Sequence, residues 1–122
     1  MVNILSVNAH CGTPELAVYS ATKGALATQT RNAAKTLAAD RIRVNGINLG
    51  WADMPAEHVV QERTSSHGSN WLEAAKRTRP FGRLIQMDEI ADPAALLLSA
   101  NVGVMTGALI DYDQRLMGAP PP

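Results

Sequence analysis

A single cysteine, Cys11, stands among 122 residues. It cannot form an intramolecular disulfide, which fits a reducing, cytoplasmic setting. Neither sign of charge dominates: eleven basic residues balance eleven acidic ones, with no run of like charge. That excludes nucleic acid or a membrane surface as a partner drawn by bulk electrostatics. No uninterrupted apolar stretch approaches the ~20 residues a membrane helix needs. The apolar start, Met1 to Val7, lacks the basic region and cleavage site of a signal peptide. His10, His58 and His67 have no cysteine or carboxylate at metal-site spacing, so no metal is expected. A chain of this length suits one small domain, and neither a repeat nor an interdomain linker divides it.

What is present is an alternation of element types. Val2 to Val7 (VNILSV) is short, rich in β-branched residues and apolar on both faces, the pattern of a central parallel strand. His10 to Pro14 form a loop, and Leu16 to Ala39 form the best helix, free of proline. Small residues recur along it at Ala21, Ala25, Thr28 and Ala33. Arg43 to Leu49 returns to strand spacing and ends at Gly50. Strand, long helix and strand make a βαβ unit, which requires parallel pairing. Residues 51–80 read as a loop carrying one or two short helices. A further helix starts at Asp88, its expected N-cap, and runs to Ser99. Thr106 and Gly107 turn into a third strand, Ala108 to Tyr112, and the Gly118 to Pro122 tail cannot continue any regular element. The expected architecture is α/β: three parallel strands paired in chain order, with the long helix on one face and the Asp88–Ser99 helix on the other.

Tyr19 and Lys23 lie four residues apart on the long helix, so they project from one face about a turn apart. An ammonium beside a phenol favours the phenolate. Bringing a phenol from ~10 to ~7 corresponds to about 4 kcal/mol of differential interaction. A tyrosine tuned in this way exchanges a proton near neutral pH. Taken alone, the pair equally describes an exposed tyrosine and lysine sharing a solvated helix face. The context adds to it: Ser6 ends the preceding strand thirteen residues earlier, where open α/β proteins place their sites. Gly50 ends the next strand, and its missing Cβ leaves room for backbone to approach a ligand.

Several segments, collinear and correctly ordered, resemble the short-chain dehydrogenase/reductase family. Val2-Asn3-Ile4-Leu5-Ser6 resembles the strand that ends in the family's serine, and Tyr19-Ser20-Ala21-Thr22-Lys23-Gly24-Ala25 its YxASKxA helix. Ile42 to Asn48 is similar to the IRVNxIxPG strand. Pro80-Phe81-Gly82-Arg83 with Glu89-Ile90-Ala91 is similar to the approach to its last long helix, and Thr106-Gly107 with Asp111-Tyr112-Asp113 to the TGxxxxVDGG ending. The resemblance implies a Rossmann-like doubly wound parallel sheet, of which this chain is the C-terminal half. It implies Tyr19 as general acid/base, Ser6 as the group holding the substrate oxygen, and Lys23 as partner of both Tyr19 and the nicotinamide ribose. Tyr19, Lys23, Asn48, Leu49, Gly50 and Ala52 would then meet the cofactor, NAD or NADP, and residues 51–80 would form the substrate loop. A secondary alcohol or ketone is the implied substrate, with a sugar or polyol suggested by the Gly107–Gln114 ending. His10 and Trp51 are candidate substrate contacts, although Trp51 has an alternative role in covering the core. The implied assembly is a homo-oligomer.

The chain also departs from the pattern. Leu49 replaces the proline before the glycine, Met54 the threonine that follows, and Gln114-Arg115 the final glycine pair. No TGxxxGxG loop, which cradles a pyrophosphate at a helix N-terminus, occurs in the 122 residues. The catalytic asparagine, which precedes the serine strand in the family, is likewise outside them. The nucleotide-binding half is therefore expected to be absent, and the isolated chain to be inactive. The rival expectation is a non-catalytic truncated product or an oligomerisation module that binds no cofactor by itself.

Overall fold

The computed structural model describes residues 1–119 and contains three strands, β1 (Val2–Ser6), β2 (Asn45–Leu49) and β3 (Leu109–Tyr112). They pair in parallel in the order β1-β2-β3, as their sequence pattern requires. Ser6 stands opposite Leu49 and Leu49 opposite Tyr112, so the three carboxyl ends finish level with one another. Four α-helices are present among the described residues: α1 (Ala17–Thr36) and α4 (Ala91–Leu98), which pack against the sheet, and α2 (Pro55–Thr64) and α3 (Trp71–Arg77), which pack on each other. The tail expectation for Gly118–Pro122 falls in part on residues 120–122, which lie outside the described residues.

Alternation along the strands decides which helix covers which face. Asn3 and Leu5 share a face, and the Asn3 amide donates to Thr30 Oγ1 on α1 at 2.9 Å. Tyr112 belongs to the opposite face, where its hydroxyl donates to the Glu89 carbonyl at 3.2 Å, just ahead of α4. At the far end of α4 the Arg43 guanidinium donates to the carbonyls of Leu97 at 3.0 Å, Leu98 at 3.3 Å and Ser99 at 2.7 Å. A cation over the last carbonyls of a helix satisfies acceptors with no partner inside the helix.

The start of β2 and the turn before β3 interlock. Val44 donates its N–H to Thr106 Oγ1 at 3.0 Å and accepts the Gly107 N–H at 2.7 Å. Buried Asn45 donates to the Met105 carbonyl and accepts the Ala108 N–H, both at 3.0 Å. Gly107 has φ of 73°, which glycine adopts without the penalty a Cβ would bring. β2 and β3 begin at Asn45 and Leu109, later than the residue pattern alone indicates, and the N–H groups of Val44 and Ala108 just ahead of them go to side chains. Likewise Val7 belongs to the tight turn Val7–Ala9 after β1.

Buried residues fall into two groups. Leu5, Val44, Ile47 and Leu97 fill the sheet region, while Trp71, Ala75 and Leu84 form a cluster under the 51–86 segment, with Trp51 and Leu72 packed on it. Helix α1 buries only Thr30 and Ala34, and Ala21, Ala25 and Thr28 of its small-residue face are exposed. One expected cap is not formed. Asp88 lies inside a tight turn, Asp88–Ile90, and its carboxylate accepts only from the adjacent Glu89 N–H. The longer Glu89 side chain reaches back instead and accepts the Gln86 N–H at 2.7 Å, as one half of a capping box does. Among the described residues no helix is long and apolar enough to cross a membrane.

Candidate active site

The level carboxyl ends of β1 and β2 gather the residues that carry chemistry. Ser6 ends β1, is 6% exposed, and accepts the Asn8 N–H on Oγ at 3.2 Å. That bond caps the Val7–Ala9 turn, which His10 N–H closes onto the Val7 carbonyl at 3.1 Å. The serine is thus fixed by the turn it starts.

Tyr19 and Lys23 come from the first two turns of α1. The helix enters through a turn at Pro14–Leu16, where proline's missing N–H leaves no helical bond unmade. The Lys23 ammonium donates to the Ile4 carbonyl of β1 at 2.9 Å and stands 5.7 Å from the centre of the Tyr19 ring. One lysine therefore ties the tyrosine-bearing helix to the serine-bearing strand. Tyr19 is 42% exposed, so its side chain is open to a ligand. Tyr19 and Lys23 are the groups here that fit an outer ligand bearing hydroxyls, such as a ribose or an alcohol.

On β2 the positions matched to a cofactor contact differ among themselves. Asn48 and Ala52 are buried, and Leu49 and Gly50 are half-buried. The Gly50 N–H donates to the Tyr112 carbonyl at 2.9 Å. A Cβ on Gly50 would strike the Asp113 carboxylate, so the space left by the missing side chain is filled by β3's own continuation. Ala52 bridges to Ile85, and Trp51 donates its indole N–H to Glu57 at 2.8 Å. Trp51 also stacks on Trp71 at 6.1 Å between ring centres and lies under Arg79 at 5.2 Å. Its ring is occupied with core packing.

His10 lies beside Asn48 and Asp111. His10 Nε2 is 3.0 Å from Asp111 Oδ1, and Asn48 Nδ2 donates to the same oxygen at 2.7 Å. Burial pushes the Asp111 carboxyl up, but the hydrogen bonds from His10 and Asn48 outweigh it and hold the group below the usual carboxylate range. Asn48 Oδ1 is buried without a partner among the described residues. This grouping was not legible beforehand, since His10 and Asp111 are 101 residues apart and no spacing rule joins His10 to the motif that carries Asp111. The Asp53–His58 pair at 2.6 Å, which joins the segment after β2 to α2, was also missed. A spacing of five residues, Asp to His across a helix start, was its only trace.

A cleft of about 170 Å³ lies against β3, lined by Phe81, Arg83, Ile85, Tyr112, Asp113 and Gln114 among others, and Asp111 is the residue it shares with the strand-end grouping. None of Ser6, Tyr19 or Lys23 borders it, and the chemistry of the strand ends is the better guide to the site. Among the described residues no group of three or more acidic, histidine or cysteine side chains is placed to hold a metal.

Comparison with known proteins decides the family. A family model described as enoyl-(acyl carrier protein) reductase matches residues 1–114. The chain belongs to the short-chain dehydrogenase/reductase family. Among its relatives, the glucose and ribitol dehydrogenase homolog of Oryza sativa is 33% identical over 112 residues, covering 90% of this chain and 35% of that protein. Cis-4-hydroxycyclohexanecarboxylate dehydrogenase of Sinomonas cyclohexanicum is 34% identical over 113 residues, covering 93% and 43%. The chain thus spans less than half the length of these curated relatives. Of solved structures, an actinorhodin polyketide ketoreductase with NADPH superposes with a TM-score of 0.84 at 26% identity, covering 93% of this chain and 45% of that one. An NAD+-bound xylitol dehydrogenase superposes at 0.80, also at 26% identity, covering 93% and 47%. As a member of the family, the chain shares an oxidoreductase lineage that uses nicotinamide cofactors.

Proposed function

We propose that this chain supplies the catalytic strand–helix–strand unit of a nicotinamide-dependent dehydrogenase that interconverts a secondary alcohol and a ketone. The observation that carries the reading is Lys23, whose ammonium holds the Ile4 carbonyl at 2.9 Å while lying beside the Tyr19 ring. It draws the acid/base candidate on α1 toward the strand that ends in Ser6. The activity is assigned to the complete protein, of which these 122 residues correspond to the second half of the family fold.

In the direction of reduction, the Ser6 hydroxyl donates to the carbonyl oxygen and orients it toward the tyrosine. Tyr19 transfers its phenolic proton to that oxygen, and Lys23 stabilises the phenolate left behind. In oxidation the phenolate takes the alcohol proton. Nicotinamide, when bound, supplies the other half of the chemistry as hydride donor or acceptor, held through Tyr19, Lys23 and the backbone of 48–52. Both NADPH and NAD+ occur among the structural neighbours.

A sugar or polyol is the narrower substrate class we assign. The Gly107–Gln114 ending supports it, as do the names of the rice relative and the xylitol dehydrogenase neighbour. The same reading includes homo-oligomerisation of the complete protein. The test is steady-state oxidation of a polyol and secondary-alcohol panel by the complete protein, with NAD+ and NADP+ each supplied. Turnover that disappears in Tyr19→Phe is expected. A panel without turnover, or a Tyr19→Phe variant as active as the parent, overturns the reading.

A further inference from the structure

We infer that His10, Asp111 and Asn48 act together as positioning residues for Ser6, so that the last strand of the chain holds the serine at the end of the first. The inference rests on the dehydrogenase reading for the importance of Ser6, but its geometry is independent of it. Ser6 is not anchored by the sheet alone. Its Oγ is committed to the Asn8 N–H at 3.2 Å, and the same turn closes at the His10 N–H on the Val7 carbonyl. Whatever holds His10 therefore holds the far end of the turn that fixes the serine rotamer.

His10 is held by β3 directly and by β2 through the same carboxylate. Its Nε2 stands 3.0 Å from Asp111 Oδ1 on β3, and Asn48 on β2 reaches the ring only by way of that oxygen. A carboxylate only accepts, so the ring nitrogen facing Asp111 carries the proton and donates it. Asn48 donates to the same oxygen at 2.7 Å. Asn48 is 1% exposed, so it cannot swing away, and it fixes the carboxylate that in turn fixes the imidazole. A surface pair between mobile side chains would contribute little, and the buried amide is what gives this one a set direction. The remaining side of the turn leans on α1 at Gly24, where a Cβ would lie 3.8 Å from the Ala9 carbonyl. The turn is thus clasped between the helix that bears Tyr19 and the two strands beside its own.

This gives His10 a role other than touching substrate, and the two roles separate in kinetics. A contact used equally by substrate and transition state changes KM alone. A misplaced hydrogen-bond donor lowers kcat, because it acts where charge develops on the reacting oxygen. The experiment compares His10→Ala, His10→Gln, Asp111→Ala and Asp111→Asn in the complete protein, with amide hydrogen exchange of the 7–12 segment measured on each. The expected result is a fall in kcat of about tenfold in His10→Ala and Asp111→Ala, in keeping with the effect of small displacements of reacting groups. Cofactor KM should be unchanged, and the doubly substituted protein should be no worse than either single one. His10→Gln, which can still donate to Asp111, should recover part of the loss. Exchange at the Asn8 and His10 amides should rise in both alanine variants.

A kcat within twofold of the parent, or a raised substrate KM at unchanged kcat, overturns the inference and returns His10 to the substrate. If the parent protein turns over nothing, the dehydrogenase reading fails on its own. The exchange data then decide the clasp, and protection of Asn8 and His10 equal to the parent's in the shape-preserving Asp111→Asn and in Asp111→Ala overturns it.

Discussion

From Val2 to Leu49 the chain is held by strand ladders and polar side chains, whereas from Trp51 to Ile85 it is held by aromatic and aliphatic packing. In the first region Asn3, Thr30, Asn45 and Asn48 are buried or half-buried, each in a hydrogen bond, and Lys23 ties helix to strand through a backbone carbonyl. In the second, Trp71, Ala75 and Leu84 exclude water, and Trp51 and Leu72 close around them. Polar atoms fix directions and apolar surface supplies free energy without direction. The proposed site, in which Ser6 and Tyr19 would aim at one oxygen, is accordingly built from the first kind. The segment proposed as the substrate loop is secured by the second. Substitutions in the two regions should therefore be felt in different measurements.

The largest effect is expected at Tyr19. In the complete protein Tyr19→Phe should lower turnover by roughly 10²–10⁴-fold, the range for loss of a positioned acid/base. Its unfolding free energy should shift by no more than about 0.5 kcal/mol, since only the hydroxyl of a partly exposed side chain is lost. Parallel kinetics and urea titrations check both halves of the statement. A variant that loses stability in step with activity would dissolve the contrast between the regions.

Trp71→Ala tests the other side. Trp71 is 3% exposed and stacks on Trp51, so its removal should destabilise by about 3–5 kcal/mol. Denaturant unfolding followed by the remaining Trp51 fluorescence measures it, and a loss below about 1 kcal/mol would show that the cluster collapses to fill the space.

An intermediate effect is expected at Arg43, which joins the start of β2 to the end of α4. Arg43→Ala removes a charged donor from three carbonyls and should cost about 2 kcal/mol. Exchange protection should fall first at the Leu96–Ser99 turn. Loss confined to β1 instead would place the contact's importance elsewhere.

The smallest effect concerns Glu89. Arg83 and then the Gln86 N–H hold its carboxyl down to about 2, from an ordinary 4.5. The folded value is the lower one, so the pair's contribution is present above the ordinary value and is lost as pH falls from 4.5 toward 2. Both partners are accessible, so the contribution is small and salt should weaken it. The difference in Tm between the parent and Glu89→Gln should be small at pH 6 and shrink toward zero near pH 2. A difference that grows on acidification would reverse the sign assigned here.

Much of this arrangement was written locally. β-branched runs at Val2–Val7 and Arg43–Leu49 around a proline-free helix require parallel strands, because only a crossover of that length can join them. The four-residue step from Tyr19 to Lys23 by itself puts both on one helix face. Helix ends were less legible: Asp88 has the right chemistry for a cap, but it accepts only the adjacent Glu89 N–H, while the longer Glu89 reaches back to the Gln86 N–H. What only the tertiary structure decided are the contacts between residues with no shared period. Arg43 finds the end of α4 more than fifty residues on, Gly50 makes room for Asp113, and His10 meets Asp111 across 101 residues. Sequence determines periodicity, and periodicity determines which face each side chain takes. Which faces then meet depends on how the strands stack in register, and that is settled only when the whole sheet has closed.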